Sequence, residues 1–105
     1  MPYKIQSVDY LAGRSLLLHY AAGEVVKDFN SLIARGGVFS RLADDAYWRR
    51  VQVGEDGRSL DWPPVTDDPL TALDLDADAL WFEAHPEDYA SYLASIQAPE
   101  EVGTR

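Results

Sequence analysis

The sequence predicts a small α+β fold, in which an antiparallel sheet built from a three-strand meander plus a hairpin is joined by short helices and a C-terminal helix. Two patterns lead to this prediction. In about residues 3–63, runs of alternating apolar and polar residues are separated by short turns. In the later residues, apolar side chains recur every three or four positions after capping residues. A chain of 105 residues, 47% of them hydrophobic, suffices for one core, so we expect a single domain.

The meander is predicted from three extended segments and two glycine-containing turns. Because side chains alternate along a strand, Leu16, Leu18 and Tyr20 should share one face of the middle strand, with His19 on the other. The turns lie at Ala12-Gly13 and Ala22-Gly23, and the strands at Tyr3–Tyr10, Arg14–Tyr20 and Glu24–Phe29.

A hairpin should follow, because Asp56-Gly57 is typical of a two-residue turn in which both residues have positive φ. It would join strands at Arg50–Glu55 and Arg58–Trp62. Pro63-Pro64 ends the second strand, since proline cannot donate a ladder hydrogen bond. The composition of Pro63–Leu73 then indicates a mobile loop.

Four short helices are predicted from their capping residues. Asn30 or Ser31 should cap the first, and Asp44 or Asp45 the second. Asp76 or Asp78 should cap the third, which carries Ala79, Leu80, Trp81 and Phe82. Pro86 suits the first turn of the last helix, whose apolar stripe consists of Tyr89, Leu93 and Ile96.

The predicted domain spans residues 1–98, with a sheet core at about 3–63 and an acidic helical extension at 64–98; residues 99–105 should form a frayed tail. Charge separates these regions. Residues 1–62 hold eight Lys/Arg and eight Asp/Glu, whereas residues 63–105 hold one Arg and ten Asp/Glu, so the net charge of −9 lies in the C-terminal part. Such a region repels phosphates and anionic lipid and attracts a basic partner.

Several classes of protein are disfavoured by composition. The chain has no cysteine, which excludes disulfides, thiolate metal sites and cysteine nucleophiles. It has no apolar run of the length of a signal peptide or a membrane span, so we expect a soluble cytoplasmic protein without membrane contact.

Six segments of the chain together form a recognisable pattern: Leu16–Tyr20, Gly23–Phe29, Val38–Leu42, Tyr47–Val51, Ser59–Pro63 and Asp74–Leu80. This pattern resembles a family of small bacterial proteins, domain of unknown function 2442. The resemblance implies a small α+β fold with no established enzymatic activity, and an antitoxin-like role, because some members are similar to one half of two-gene toxin–antitoxin-like modules. Residues 65–73 and the chain after Leu80 depart from the family pattern.

Enzyme and metal motifs are weak in this sequence. It lacks a phosphate-binding glycine loop, a Gly-x-Ser-x-Gly elbow and a His-Glu-x-x-His helix, and His19 and His85 lie far apart. Asp74, Asp76 and Asp78 have calcium-loop spacing, but the sixth position is Ala79 instead of glycine and the twelfth is His85 instead of glutamate. We therefore expect no enzyme activity, no metal and no cofactor, with a small metal-dependent enzyme as the least favoured alternative.

A nucleic-acid-binding regulator is the second hypothesis. Arginines interleaved with aromatic residues could bind single-stranded nucleic acid, although this half of the chain has no net charge and its rings are needed for the core. The arginines are Arg35, Arg41, Arg49, Arg50 and Arg58, and the rings are Phe39, Tyr47, Trp48 and Trp62.

The leading hypothesis is a non-enzymatic protein-binding module that engages a basic protein through its acidic, aromatic C-terminal region. Successive helical residues turn by about 100°, so Leu80, Trp81 and Phe82 cannot all face one core. The surplus apolar area should bind a protein partner or a second copy in a homodimer. The candidate partner-binding residues are Trp81, Phe82, Tyr89, Tyr92, Asp74, Asp76 and Asp78.

Overall fold

A computed structural model describes residues 3–103 of the chain, with side chains up to residue 96. Its first sheet is the predicted antiparallel meander, in the order β1 (Ile5–Leu11), β2 (Ser15–Tyr20) and β3 (Gly23–Asp28). Leu18 pairs with Val8 on one side and Val25 on the other. Short turns and the alternating burial of β2 account for this sheet, whereas β1 has a register shift between Ile5 and Ser7. The α+β fold class is confirmed.

The second sheet has one strand more than predicted. It consists of β4 (Gln52–Val53), β5 (Ser59–Trp62) and β6 (Leu73–Asp76), all antiparallel. Strand β6 comes from the acidic segment that was predicted to cap a helix. Its four residues alternate in burial, and their pairing with β5 supplies the hydrogen bonds that make them extended.

The loop of the second hairpin is longer than the predicted two-residue turn. Asp56 and Gly57 do have positive φ, 59° and 72°. However, they belong to a short 3₁₀ turn, and the strands close where Gly54 N–H donates to the Ser59 carbonyl at 2.8 Å. The connection is therefore residues 54–58.

Four α-helices complete the fold: α1 (Asn30–Arg35), α2 (Asp45–Trp48), α3 (Ala77–Ala84) and α4 (Pro86–Gly103), with 3₁₀ turns at Gly37–Ala43 and Pro69–Thr71. Asp44 caps α2, since its carboxylate accepts the Tyr47 N–H at 3.0 Å. The predicted cap of α1 is wrong. Neither Asn30 nor Ser31 precedes this helix; the Asp28 carboxylate instead accepts the Asn30 N–H at 2.8 Å.

The tail predicted at residues 99–105 stays a prediction, because the side chains beyond residue 96 and all of residues 104–105 lie outside the described part. The loop predicted as mobile contains a hydrogen-bonded turn, in which the Thr71 hydroxyl accepts the N–H groups of Val65 at 3.0 Å and Thr66 at 3.3 Å. No helix among residues 3–103 is long and apolar enough to span a bilayer.

Both sheets and helices α1, α2 and α3 contribute to one hydrophobic core, which contains several aromatic rings. The Trp48 and Trp62 rings stack at 5.9 Å, and Phe29 meets both edge-on. The Trp62 indole N–H donates to the Trp48 carbonyl at 3.1 Å. Trp81 of α3, only 5% exposed, extends the core by stacking on Tyr3 at 4.7 Å. Helix α3 is thereby fixed in its rotation against the sheets.

Candidate partner-binding groove

The turn between α3 and α4 is held by His85. Its N–H donates to the Trp81 carbonyl at 2.9 Å, which ends α3, and its own carbonyl accepts the Tyr89 N–H at 3.2 Å as α4 begins. The His85 ring stacks on Trp81 at 3.9 Å, and the Trp81 indole N–H donates to the Asp88 carboxylate at 3.0 Å. The two helices therefore have a defined arrangement, with Trp81 on their inner side.

The outer side of this pair forms a concave surface, here called the α3–α4 groove, of about 550 Å³. Phe82 forms its aromatic part with two tyrosines, at 5.4 Å from Tyr92 (stacked) and 5.4 Å from Tyr89 (tilted). Tyr89 is 46% exposed although it is a large aromatic residue. The lining residues are Asp76, Asp78, Ala79, Phe82, Glu83, Tyr89 and Tyr92.

Three carboxylates at this groove are held in place by contacts within the chain. Asp76 Oδ2 accepts the Ala79 N–H at 3.0 Å, which makes it the N-cap of α3 as predicted. Asp78 Oδ1 accepts the N–H of Tyr3. Glu83 Oε1 lies 2.7 Å from Lys27 Nζ. Each of these described contacts uses one oxygen of the carboxylate; Asp76 and Glu83 are exposed to solvent and Asp78 is partly exposed.

Five of the seven predicted site residues come together here: Phe82, Tyr89, Tyr92, Asp76 and Asp78. Trp81 does not line the groove, because the rotation of α3 turns its ring into the core. Asp74 lies on β6, opposite Asp61 of β5, and is also outside the groove. Sequence reasoning missed Glu83, although its position four residues after Ala79 is the signal that places both on one side of α3.

A second concave surface, here called the α4 flank groove, lies beside the first and shares Tyr92 with it. It has a volume of about 500 Å³. Most of its lining lies on α4 at positions i, i+3, i+4, i+7 and i+8, the spacing of one helix face. The sequence analysis did not identify this surface. Its lining residues are Tyr3, Asp88, Ser91, Tyr92, Ser95 and Ile96.

The residues proposed for nucleic-acid binding are placed differently. The rings of Tyr47, Trp48 and Trp62 are buried, so bases cannot stack on them without unfolding the core. Arg41 donates to the Thr71 carbonyl, and Arg49 donates to the Asp45 carboxylate at 3.1 Å. This geometry does not favour the hypothesis, which stays untested.

His19 lies on the outer face of the first sheet between two carboxylates, an arrangement here called the His19 clamp. Its Nε2 is 2.7 Å from Asp9 Oδ2, and its Nδ1 is 2.9 Å from Glu24 Oε2. The hydrogen bond to Asp9 raises the pKa of His19, and the nearby charges of Asp9 and Glu24 raise it further. Among the residues whose side chains are described, no three His, Asp or Glu side chains are grouped so as to hold a metal ion.

The sequence matches no family model, no curated protein and no solved structure. The resemblance to domain of unknown function 2442 therefore stays a prediction.

Proposed function

We propose that this chain is a non-enzymatic protein-binding module whose α3–α4 groove takes a basic segment of a partner protein. The observation that carries the proposal is the placement of three aromatic rings and three carboxylates around one concave surface. Cationic side chains are attracted both to the faces of aromatic rings and to carboxylates. Lysine and arginine satisfy both requirements.

The charge of the chain supports a basic partner over an acidic one. The groove belongs to the region of residues 63–105, which has ten Asp/Glu and one Arg. A negative field of this kind speeds the approach of a basic protein and repels nucleic-acid phosphates. An antitoxin-like protein that neutralises a basic toxin would be one instance of such a module.

The carboxylates can be neutralised without removing the contacts that hold them. In the variant D76N/D78N/E83Q, the single amide oxygen of each new side chain can take the place of the one carboxylate oxygen that makes the contact, and asparagine remains a good N-cap at position 76. We expect a peptide of Lys, Arg, Leu and Ser to bind the native chain, and to bind this variant about tenfold more weakly, because exposed charge pairs contribute about 0.2–1 kcal/mol each. Isothermal titration calorimetry at physiological salt measures the difference.

The matched control is E55Q/D67N/D68N, which changes the net charge by the same amount at exposed positions outside the groove. Its affinity for the peptide should stay within about twofold of the native value, because salt screens charges beyond roughly 8 Å. If both triple variants weaken peptide binding equally, the binding depends on the overall charge of the chain and not on the groove. Absence of binding to the native chain would refute the proposal outright.

A further inference from the structure

We infer that the basic segment is an amphipathic α-helix that lies along α4, an inference that rests on the proposed function. The α3–α4 groove and the α4 flank groove adjoin at Tyr92, which lines both, and are together called the strip. The strip continues along α4 to Ile96, which is 49% exposed. It is longer than a single cationic side chain needs, and its length follows a helix axis.

Backbone chemistry favours a helix over an extended peptide. Most of the strip comes from α3 and α4, whose N–H and C=O groups are used within the helices; the exceptions are Tyr3 and Asp76, the last residue of the edge strand β6. An extended peptide along α4 would therefore meet helical backbone over most of its length and find few partners for its own backbone groups in the protein. A helix satisfies its backbone internally and needs only side-chain contacts.

The shape of the α4 flank groove suits a neighbouring helix. Ser91 and Ser95 are small residues one turn apart on the face that also carries Tyr92. Small residues allow two helix axes to approach closely, while Tyr92 and Ile96, each one position after a serine, border them on one side and provide apolar contact. The occupant is therefore expected to place its own apolar stripe against this face.

Charge determines what kind of helix fits. The strip is acidic where it borders α3, at Asp76, Asp78 and Glu83, and largely uncharged along α4, where Asp88 already accepts the Trp81 indole N–H. A second copy of this chain would bring two acidic surfaces together, which is unfavourable. The partner helix should carry Lys and Arg where it reaches α3, and apolar residues beyond.

Two peptides of about 18 residues and identical composition test the inference. In the first, Lys and Arg are clustered in one half and Leu recurs at i, i+3, i+4 and i+7; the second has the same residues in an order without helical periodicity. We expect the amphipathic peptide to bind at least about tenfold more tightly and to gain helical circular dichroism on binding. Equal affinities would overturn the helix inference while the proposed function stands; failure of both peptides would overturn both.

Substitutions on α4 locate the helix. S91Y fills the α4 flank groove and leaves the α3–α4 groove open, so it should weaken the amphipathic peptide at least about tenfold and the scrambled one less than about twofold. A90Y adds the same side chain at an exposed position outside both grooves and should leave both affinities unchanged. Equal effects of S91Y and A90Y would refute binding along α4, as would a stable dimer of the native chain in sedimentation.

Discussion

Replacing Gly57 with alanine tests whether the loop between β4 and β5 packs closely against β1. Gly57 has a φ of 72°, and a Cβ at this position would lie 2.6 Å from the Ile5 carbonyl oxygen and 3.2 Å from the Ile5 nitrogen. Both atoms belong to the backbone of β1, so they can move only if the strand or the loop moves. Gly13 has almost the same φ, 71°, and a Cβ there meets no described atom within 4 Å.

The two glycines therefore separate two costs. Alanine in the left-handed region costs roughly 1–2 kcal/mol, and G13A should lose about that much stability. G57A bears the same cost plus the strain of an overpacked contact, about 1–3 kcal/mol more. For a chain of this size each kcal/mol lowers Tm by about 4 °C, so G57A should melt about 4–12 °C below G13A.

Urea unfolding followed by tryptophan fluorescence measures both variants. Trp48, Trp62 and Trp81 are all buried, so their emission should report the loss of the core. The slopes of the transitions should be the same, and only the midpoints should differ. If the unfolding free energies of G57A and G13A agree within about 0.5 kcal/mol, the loop between β4 and β5 does not lie close to β1 at Gly57.

Three further predictions concern polar contacts. The hydrogen bond to Asp9 raises the pKa of His19. The His19 clamp should therefore stabilise the fold fully below about pH 6.5 and lose this contribution as the pH rises through the pKa of His19 in the folded protein. An NMR titration that gives a pKa of 6.5 or below for His19 would contradict this. Burial raises the pKa of Tyr20, and its hydroxyl donates to an α3 carbonyl at 2.8 Å. Y20F should therefore lower the free energy of unfolding, measured in urea, by about 1–3 kcal/mol. An unchanged free energy of unfolding would show that the carbonyl finds another donor. The Arg14 guanidinium donates to the carbonyls of residues 42–43, both at 2.9 Å. R14K should therefore lower the free energy of unfolding by about 1–2 kcal/mol. A urea unfolding midpoint equal to that of the native chain would argue against the paired contact.

The elements that were predicted well depend on local chemistry. The meander follows from alternation and turns of two or three residues, and Asp44 and Asp76 cap their helices through hydrogen bonds to an N–H three residues later. Strand β6 was missed because its Leu-Asp alternation covers only four residues, in a segment whose aspartates suit helix caps equally well. Its extended conformation depends on pairing with β5. Because β5 is not adjacent to β6 in the sequence, the residues of β6 by themselves give no signal of this pairing.

The candidate site shows the same division. The order of residues alone shows that the C-terminal region carries negative charge and more aromatic rings than one helix face can bury. Only the tertiary structure decided which ring is buried and which are exposed. Tyr3, from the other end of the chain, stacks on Trp81 and donates its N–H to Asp78, and these contacts fix the rotation of α3. Trp81 therefore packs in the core while Phe82 faces the tyrosines of α4, because helix rotation is determined by contacts between residues far apart in sequence.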